Sequence, residues 1–349
     1  MDDDLDDTDQ LDDAFDSAGA PRGHVPVLLD EVLALLAPEP GGVYVDATAG
    51  LGGHAAAIAP KLSPGGTVVL NDLDPGNLDA ARARVEGALP PESGVRVVTI
   101  HGGFAELPRR LPELGLSADM VLADLGFSSN QVDDPARGLS FRSDGPLDMR
   151  LNPDAPLTAA DLVNELPEAE LADILWRYGE ERASRRVAAK IVAARAQRPI
   201  STTGQLAEIV RAGVGFARRP AKGACRSGRG PSRGIDPATR SFQALRIAVN
   251  DELGSLGVFL TGVQRSAERA QARGGHETAQ QDWLRPGARV AVIAFHSLED
   301  RPVKQAFVAM GQSGVVERLT RKAVQAGEAE IGINPRARSA RLRAVRLLG

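Results

Sequence analysis

The stretch Val43-Tyr-Val-Asp-Ala-Thr-Ala-Gly-Leu-Gly-Gly-His54 decides the fold. A short β-branched run ends in an acid, Asp46, and a glycine-rich turn leads into an alanine-rich helix over Gly53–Ala59. A second apolar run, Thr67 to Leu70, closes on Asn71-Asp72-Leu-Asp74. Two parallel strands, each ending in an acid with a glycine turn between, form the crevice in which open α/β sheets hold nucleotide-type cofactors. The glycines let the backbone approach the ligand, and Asp72 can accept hydrogen bonds from ribose hydroxyls. An adenosine-containing cofactor is the expectation.

Working outward, the strand and helix periods alternate. Val27 to Leu36 reads as a helix stopped by Pro38 and Pro40. Strands are expected at Val43–Asp46, Thr67–Asp72, Val95–His101 and Met120–Asp124, with helices at Gly53–Ala59, Pro75–Glu86 and Phe104–Arg110. This βαβαβαβ run implies a parallel sheet with helices on both faces. The pattern then breaks. Residues 128–157 read as an ordered loop, and helices follow at Glu168–Tyr178, Glu180–Gln197 and Ser201–Ala212. Thr158 and Asp161 have capping-box spacing. From Asp236 a long helix is expected, with Phe242, Leu245, Val249, Leu253 and Leu256 on its apolar face. Sheet character returns at Gly287–Phe295, and Leu342–Leu348 reads as an edge strand. A helical module is thus inserted between the fourth and fifth strands. The boundaries read as 23–135 and 240–349 for the α/β domain and 136–239 for the insert, behind an acidic disordered tail over 1–22.

Composition sets limits. The 349 residues are 43% apolar but only 4% aromatic, so Leu, Val and Ala must fill the core. The net charge of −5 conceals an uneven distribution: residues 1–20 hold nine Asp and no Lys or Arg, leaving −5 − (−9) = +4 on the rest. A mildly basic body suits an anionic partner. The single Cys225 excludes a disulfide framework or zinc cluster within the chain, and no metal site is expected. No secretory segment or long apolar span is read, so a cytoplasmic protein is expected.

Several segments could carry chemistry. There is no P-loop and no Gly-x-Ser-x-Gly elbow. Ala55 stands where a dinucleotide fingerprint usually has its third glycine, and alanine is tolerated there, so an NAD-dependent oxidoreductase stays open. Asp124-Leu-Gly-Phe-Ser-Ser-Asn-Gln131 is either a site wall at a strand end or an ordinary strand-to-loop transition. Asp144-Gly-Pro-Leu-Asp148-Met-Arg150 is either a tight structural turn or an amine-orienting acid with a phosphate-holding Arg150. Arg182, Arg186 and Lys190 are spaced to share a helix face, as a solvated stripe or a phosphate contact. The Arg-rich 218–233 segment is either a solvated loop or an RNA contact. His296-Ser-Leu-Glu-Asp-Arg301 and Asn334-Pro-Arg-Ala-Arg-Ser339 carry the same ambiguity.

Taken together these segments resemble one family, the bacterial 16S ribosomal RNA (cytosine-N4) methyltransferases. The resemblance rests on His24-Val-Pro-Val-Leu-Leu-Asp-Glu31, the glycine turn to His54, the Asp124–Gln131 and Arg137–Arg150 segments, and Tyr178-Gly-Glu-Glu-Arg182. Ala238-Thr-Arg-Ser-Phe-Gln-Ala-Leu-Arg-Ile247 and the two segments beginning at His296 and Asn334 complete it. It implies a class I S-adenosylmethionine-dependent methyltransferase fold, Rossmann-like and mostly parallel, with an inserted all-helical substrate-recognition domain. It also implies S-adenosylmethionine as cofactor and 16S rRNA of the small ribosomal subunit as partner, with N4 of a decoding-site cytidine as acceptor. A homodimer and a non-catalytic assembly factor on the same scaffold both remain open. The implied cofactor contacts are Gly52, Gly53, His54, Asp72, Phe104, Asp124 and Gln131. The implied RNA-facing set is Arg150, Arg182, Arg186, Arg240, Arg246, His296, Arg301, Arg336 and Arg338. The chain departs from the family pattern at Asn130, where a proline is usual, and at Gly103.

The cytosine N4 lone pair is delocalised, so the amine needs positioning and an acceptor for its proton. Asp124 or Asp148 is expected to supply that acceptor. Phe127, Phe141 and Phe242 are the candidates for stacking on an extruded base.

Overall fold

The computed structural model describes residues 26–215, 236–272 and 282–349. The 1–22 tail, the 218–233 basic segment and Cys225 therefore lie outside the described residues. In chain order the first part comprises α1 Leu29–Leu36, β1 Val43–Asp46, α2 Gly53–Ile58, β2 Thr67–Asp72, α3 Pro75–Ala88, β3 Arg96–His101, α4 Leu107–Glu113 and β4 Ala118–Asp124. Six helices follow: α5 Ser129–Asp133, α6 Ala159–Glu165, α7 Glu168–Gly179, α8 Ser184–Arg195, α9 Thr203–Val214 and α10 Ala238–Asn250. The chain closes with α11 Glu252–Ala272, β5 Leu284–Ala294, α12 Ser297–Gln312, β6 Val316–Arg318, α13 Glu328–Ile333 and β7 Arg341–Leu347.

Two compact units result. The first is residues 26–127 with Leu253–Gly349; the second is Ser128–Glu252. The inserted unit therefore begins at Ser128 rather than 136 and runs to Glu252 rather than 239.

The α/β unit is built on a seven-stranded sheet of order β3-β2-β1-β4-β5-β7-β6. Strands β1 to β5 are mutually parallel, and β7 runs antiparallel between β5 and β6. This is the mostly parallel sheet of the class I methyltransferase fold. All four residues of β1 are buried, as a central parallel strand covered on both faces requires. One face packs Leu107, Leu111, Phe259, Trp283 and Phe307 from α4, the α11–β5 region and α12. The other packs Leu28, Val32, Leu36, Ile58, Leu62 and Ala81 from the α1 region, the α2 region and α3. The final strand is not an edge. Its burial pattern, Leu342 to Val345 all buried, reflects a position between two partners, and three-residue β6 forms the margin.

The helical unit encloses its own core of Leu147, Leu162, Leu171, Val187, Leu206 and Leu245, among others. The expected capping box at α6 is present: Thr158 Oγ1 accepts from the Asp161 N–H at 3.2 Å, and the Asp161 carboxylate accepts from the Thr158 N–H at 2.8 Å. Two helix boundaries differ from the sequence reading. The long helix from Asp236 is two helices, broken at Asp251 in the left-handed region (φ 46°), so Val249 and Leu253 do not share one face. Glu180, also left-handed (φ 50°), ends α7, and α8 starts only at Ser184. Arg182 thus stands in the connecting turn, and only Arg186 and Lys190 share the α8 face.

Candidate active site

The site begins at the carboxyl ends of β1, β2, β3 and β4. Leaving β1, the chain turns through Gly50 (φ 49°) and Gly52 (φ 73°) into α2. A Cβ on Gly52 would lie 2.8 Å from the Cα of Ala81 on α3, so only glycine permits this turn and this packing together. The turn is tied to the second strand through Asp72. Its carboxylate accepts from the Gly50 N–H at 2.8 Å and from the Asp74 N–H at 2.8 Å. Burial raises the Asp72 pKa, and those backbone donors oppose the rise. Asp74 then caps α3, accepting from the Gly76 N–H at 2.9 Å.

Asp46 and Asp124 end β1 and β4. Asp46 is buried and accepts from the Tyr44 hydroxyl at 3.1 Å. Burial pushes its carboxyl up to about 7, against the lowering effect of the Tyr44 and Thr48 hydrogen bonds. Asp124 is held through its N–H, which donates to Thr48 Oγ1 at 2.7 Å. Its Oδ1 is buried and has no hydrogen-bond partner, although the side chain as a whole keeps 22% exposure. Burial, with added repulsion from the Asp46 and Glu299 carboxylates, pushes Asp124 well above the ordinary carboxylate range. Two neighbouring acids, Asp46 and Glu299, thus add to the burial that raises the proton affinity of Asp124.

His54 completes this end. Its Nε2 lies 2.9 Å from the Val27 carbonyl, which can only accept, so Nε2 carries the proton. Nδ1 faces Asp124 Oδ2 at 3.7 Å. Phe104 follows β3 by three residues, in the strand register that pairs His101 with Asp72, and packs edge-to-face on Phe259 at 5.6 Å. His296 precedes α12, with Nε2 3.2 Å from Glu299 Oε1 but without hydrogen-bond alignment, while Glu299 Oε2 accepts from the Phe295 N–H at 2.9 Å.

Gly52, Gly53, His54, Asp72, Phe104 and Asp124 therefore gather at neighbouring strand ends. Gln131 and Asp148 belong to the helical unit. Gln131 is buried and its side-chain oxygen accepts from the Ser128 N–H at 3.1 Å, which caps α5. Asp148 is held bidentately: Oδ1 accepts from Arg150 Nε at 2.9 Å and Oδ2 from Nη2 at 2.7 Å. Burial raises the Asp148 pKa, but the Arg150 bonds and charge outweigh it, and the net shift is downward. Both its oxygens are engaged, so it is a weaker base than Asp124. Arg150 also donates to the Ala155 carbonyl at 2.6 Å, which makes it a strut of its own turn.

The other expected RNA-facing residues divide similarly. Arg246 is 12% exposed and paired with Glu252 at 2.7 Å, inside the helical unit. Arg182, Arg186, Arg301 and Arg338 are exposed; Arg240 and Arg336 are half-buried. Of the stacking candidates, Phe242 is buried and Phe141 meets it edge-to-face at 4.8 Å, so this pair belongs to the helical core. Phe127 is half-buried. Sequence reasoning missed Tyr44, Thr48 and Glu299. Tyr44 had one signal, since residues two apart in a strand share a face and place its hydroxyl beside Asp46.

A family model described as the MraW methylase family matches residues 22–348. The chain belongs to this family. Three relatives are each called ribosomal RNA small subunit methyltransferase H. That of Acidobacterium capsulatum is 47% identical over 323 residues, 92% of this chain and 97% of its own length. That of Sorangium cellulosum is 47% identical over 332 residues, 94% and 93%. That of Geobacter sulfurreducens is 47% identical over 341 residues, 93% and 99%. Membership in this methylase family removes the NAD-dependent oxidoreductase reading, and S-adenosylmethionine is the cofactor.

The strand ends of this methylase fit that molecule. S-adenosylmethionine carries a sulfonium and an ammonium, and a buried carboxylate oxygen without a donor, Asp124 Oδ1, is what a cationic ligand requires. Gly52 and Gly53 carry no side chain that would block the backbone from it, and Asp72 would offer carboxylate acceptors to a ribose.

Proposed function

We propose that the chain methylates the N4 amine of a decoding-site cytidine in 16S rRNA of the small ribosomal subunit, in the cytoplasm. The observation that carries the reading is Asp124, a buried strand-end carboxylate of raised proton affinity with one oxygen unpartnered. S-adenosylmethionine supplies the methyl group from its sulfonium. An N4 amine that took up the methyl group would become acidic and lose a proton. Asp124 accepts that proton. Its raised pKa makes it a stronger base than an ordinary carboxylate while leaving it ionisable near neutrality once a cation sits beside it. His54, fixed by Val27 with Nδ1 turned to Asp124, orients the carboxylate. Tyr44 and Thr48 hold Asp46, whose carboxylate adds to the raised proton affinity of Asp124.

Presentation of the base falls to the helical unit, which acts as the substrate-recognition domain. Its exposed Arg182, Arg186 and Lys190 supply phosphate contacts of the kind that dominate RNA affinity. The names of the relatives support rRNA as substrate. The decisive test is methyl transfer from labelled S-adenosylmethionine to small subunits lacking the modification, with the product nucleotide mapped by mass spectrometry. Label on N4 of one decoding-site cytidine supports the reading. Cofactor binding without label on any cytidine N4 overturns it.

A further inference from the structure

A second charged cavity lies at the opposite end of the sheet. It has a volume of about 430 Å3 and is lined at the amino-terminal side of the parallel strands by Gly42, Asp119, Arg285, Gly287 and Arg289, with Arg346 of β7. Glu39 stands exposed at its rim. The cofactor site occupies the carboxyl ends of the same strands, so the two are separated by the sheet.

The charges in this cavity are unbalanced in a specific way. Asp119 is satisfied within the fold: Oδ2 accepts from the Val43 N–H at 2.8 Å, and Arg285 Nη1 reaches both carboxylate oxygens at 3.1 and 2.9 Å. Arg289 has no such partner. Its guanidinium donates to the Leu35 carbonyl at 2.8 Å, and no carboxylate lies within ion-pair reach among the described residues. Arg346 is directly opposite Arg289 in the β5–β7 register. Residues directly opposite in an antiparallel pair share a face, and like charges there repel. Glu317 takes one edge of Arg346 at 2.9 Å, yet Arg346 Nε is buried with no acceptor. Two adjacent guanidinium groups, one without a counter-charge and one with an orphan donor, line a cavity of a size that holds small ligands.

We propose that this cavity is a phosphate-binding site, with Arg289 and Arg346 as its two anchors. The planar fork of guanidinium matches phosphate oxygens in pairs, and an anion between the two side chains relieves their repulsion and satisfies Arg346 Nε. The phosphate belongs either to an RNA backbone or to a free nucleotide; the chemistry is the same. Nothing in the site is shared with the methyl-transfer centre.

The test is calorimetric titration of the full chain with inorganic phosphate, for the wild type, Arg289→Gln and Arg346→Gln. Saturable wild-type binding on the order of 1 mM is expected, weakened about tenfold or more in each variant. Arg346→Gln removes a repulsive neighbour and keeps the fold; because Arg289 also braces Leu35, this second variant keeps the proposal open to refutation. S-adenosylmethionine affinity, measured alongside, stays unchanged in both. A parallel titration with an RNA oligonucleotide separates the sources. A fall in RNA affinity and in its salt slope in the variants assigns the site to RNA, and unchanged RNA binding with lost phosphate binding assigns it to a free nucleotide. Absence of saturable phosphate binding, or equal binding by all three proteins, overturns the proposal.

Discussion

The strand-end carboxylates of the α/β unit and the Arg-paired carboxylates of the helical unit are handled in opposite ways. In the helical unit Asp148 meets Arg150, Asp236 meets Arg211 and Glu252 meets Arg246, each within 2.7 Å. Asp148 and Asp236 are burdened by burial, but their Arg partners hold both below the usual carboxylate range. At the strand ends of the α/β unit, Asp46, Asp72 and Asp124 have no Arg partner among the described residues, and burial drives all three upward. The helical unit's three acids brace its turns and helix ends through Arg. The strand ends instead bury Asp46 and Asp124 without such a partner, an arrangement that costs stability and is relieved when a cationic ligand arrives.

The sharpest way to break this contrast is Asp124→Asn. The neutral amide keeps the shape but cannot take up the N4 proton. Turnover should fall by about 10²–10⁴-fold, the range of a lost general base. Single-turnover transfer of labelled methyl checks it, with cofactor affinity measured separately by calorimetry. The ligand-free variant should be no less stable than the wild type, since it loses a repelling acid. Undiminished transfer would remove Asp124 from the chemistry.

The next effect is on stability. Asp46 has a folded pKa of about 7 against an ordinary 3.8. An acid whose folded pKa is raised binds its proton more tightly in the native state, so the stability that Asp46 contributes is fully present below pH 4 and is lost as pH rises toward 7. The shift corresponds to a loss on the order of 4 kcal/mol across that window. The helical unit should respond with the opposite sign: Asp148 and Asp236, whose folded pKa values are lowered, stabilise above pH 4 and lose that contribution as pH falls. The two tryptophans separate the units, because Trp283 is buried in the α/β unit and Trp176 is 57% exposed on α7 of the helical unit. Urea unfolding of the ligand-free chain, followed through Trp283 in a Trp176→Phe background, should show the decline from pH 5 to 8. Asp46→Asn should make it shallower, the remaining slope belonging to Asp72 and Asp124. An equal slope in both proteins would mean that Asp46 is not a buried acid of raised pKa.

How far this contrast could be read from sequence depends on what carried each element. β1 and β2 fall on their expected residues because short β-branched runs ending in acids leave little freedom. The capping box at Thr158 and the glycine turn are local chemistry and are equally plain. The break at Asp251 is not local. Helical periodicity runs through it unbroken, and the stop is supported by Asn250, whose amide donates to the carbonyls of Met149 and Arg246 at 2.8 and 2.9 Å. The position of β7 between two strands depends on pairing partners that no single segment reveals. Motif matching found Asp124, but its isolation and the Asp148–Arg150 pairing are facts of packing. Thus the sequence named both acids, and only the fold separates the strand-end acid with an unpartnered oxygen from the acid held by Arg150.

That distinction predicts a reversed phenotype for Asp148→Asn. Removing the charge leaves Arg150, 25% exposed, without its bidentate partner. Stability should drop by about 1–3 kcal/mol, discounted toward the lower figure by solvent access, while transfer per folded molecule stays within a few-fold of wild type. Loss of turnover with unchanged unfolding would restore Asp148 as the proton acceptor.

The smallest effect probes the helical unit where no charge pair is involved. In Thr158→Ala the Asp161 N–H loses its acceptor, and Asp161 loses both the hydroxyl bond at 2.6 Å and the reciprocal geometry of the box. Such caps contribute about 1 kcal/mol. The denaturation midpoint read through Trp176 should fall accordingly, the Trp283 signal and the methyl-transfer rate should not move, and Asp161, whose pKa is held down first by the Thr158 hydroxyl, should titrate closer to the ordinary range. If the Trp283 midpoint moved equally, the two units would unfold as one, and the opposite pH responses above would cancel in any single transition.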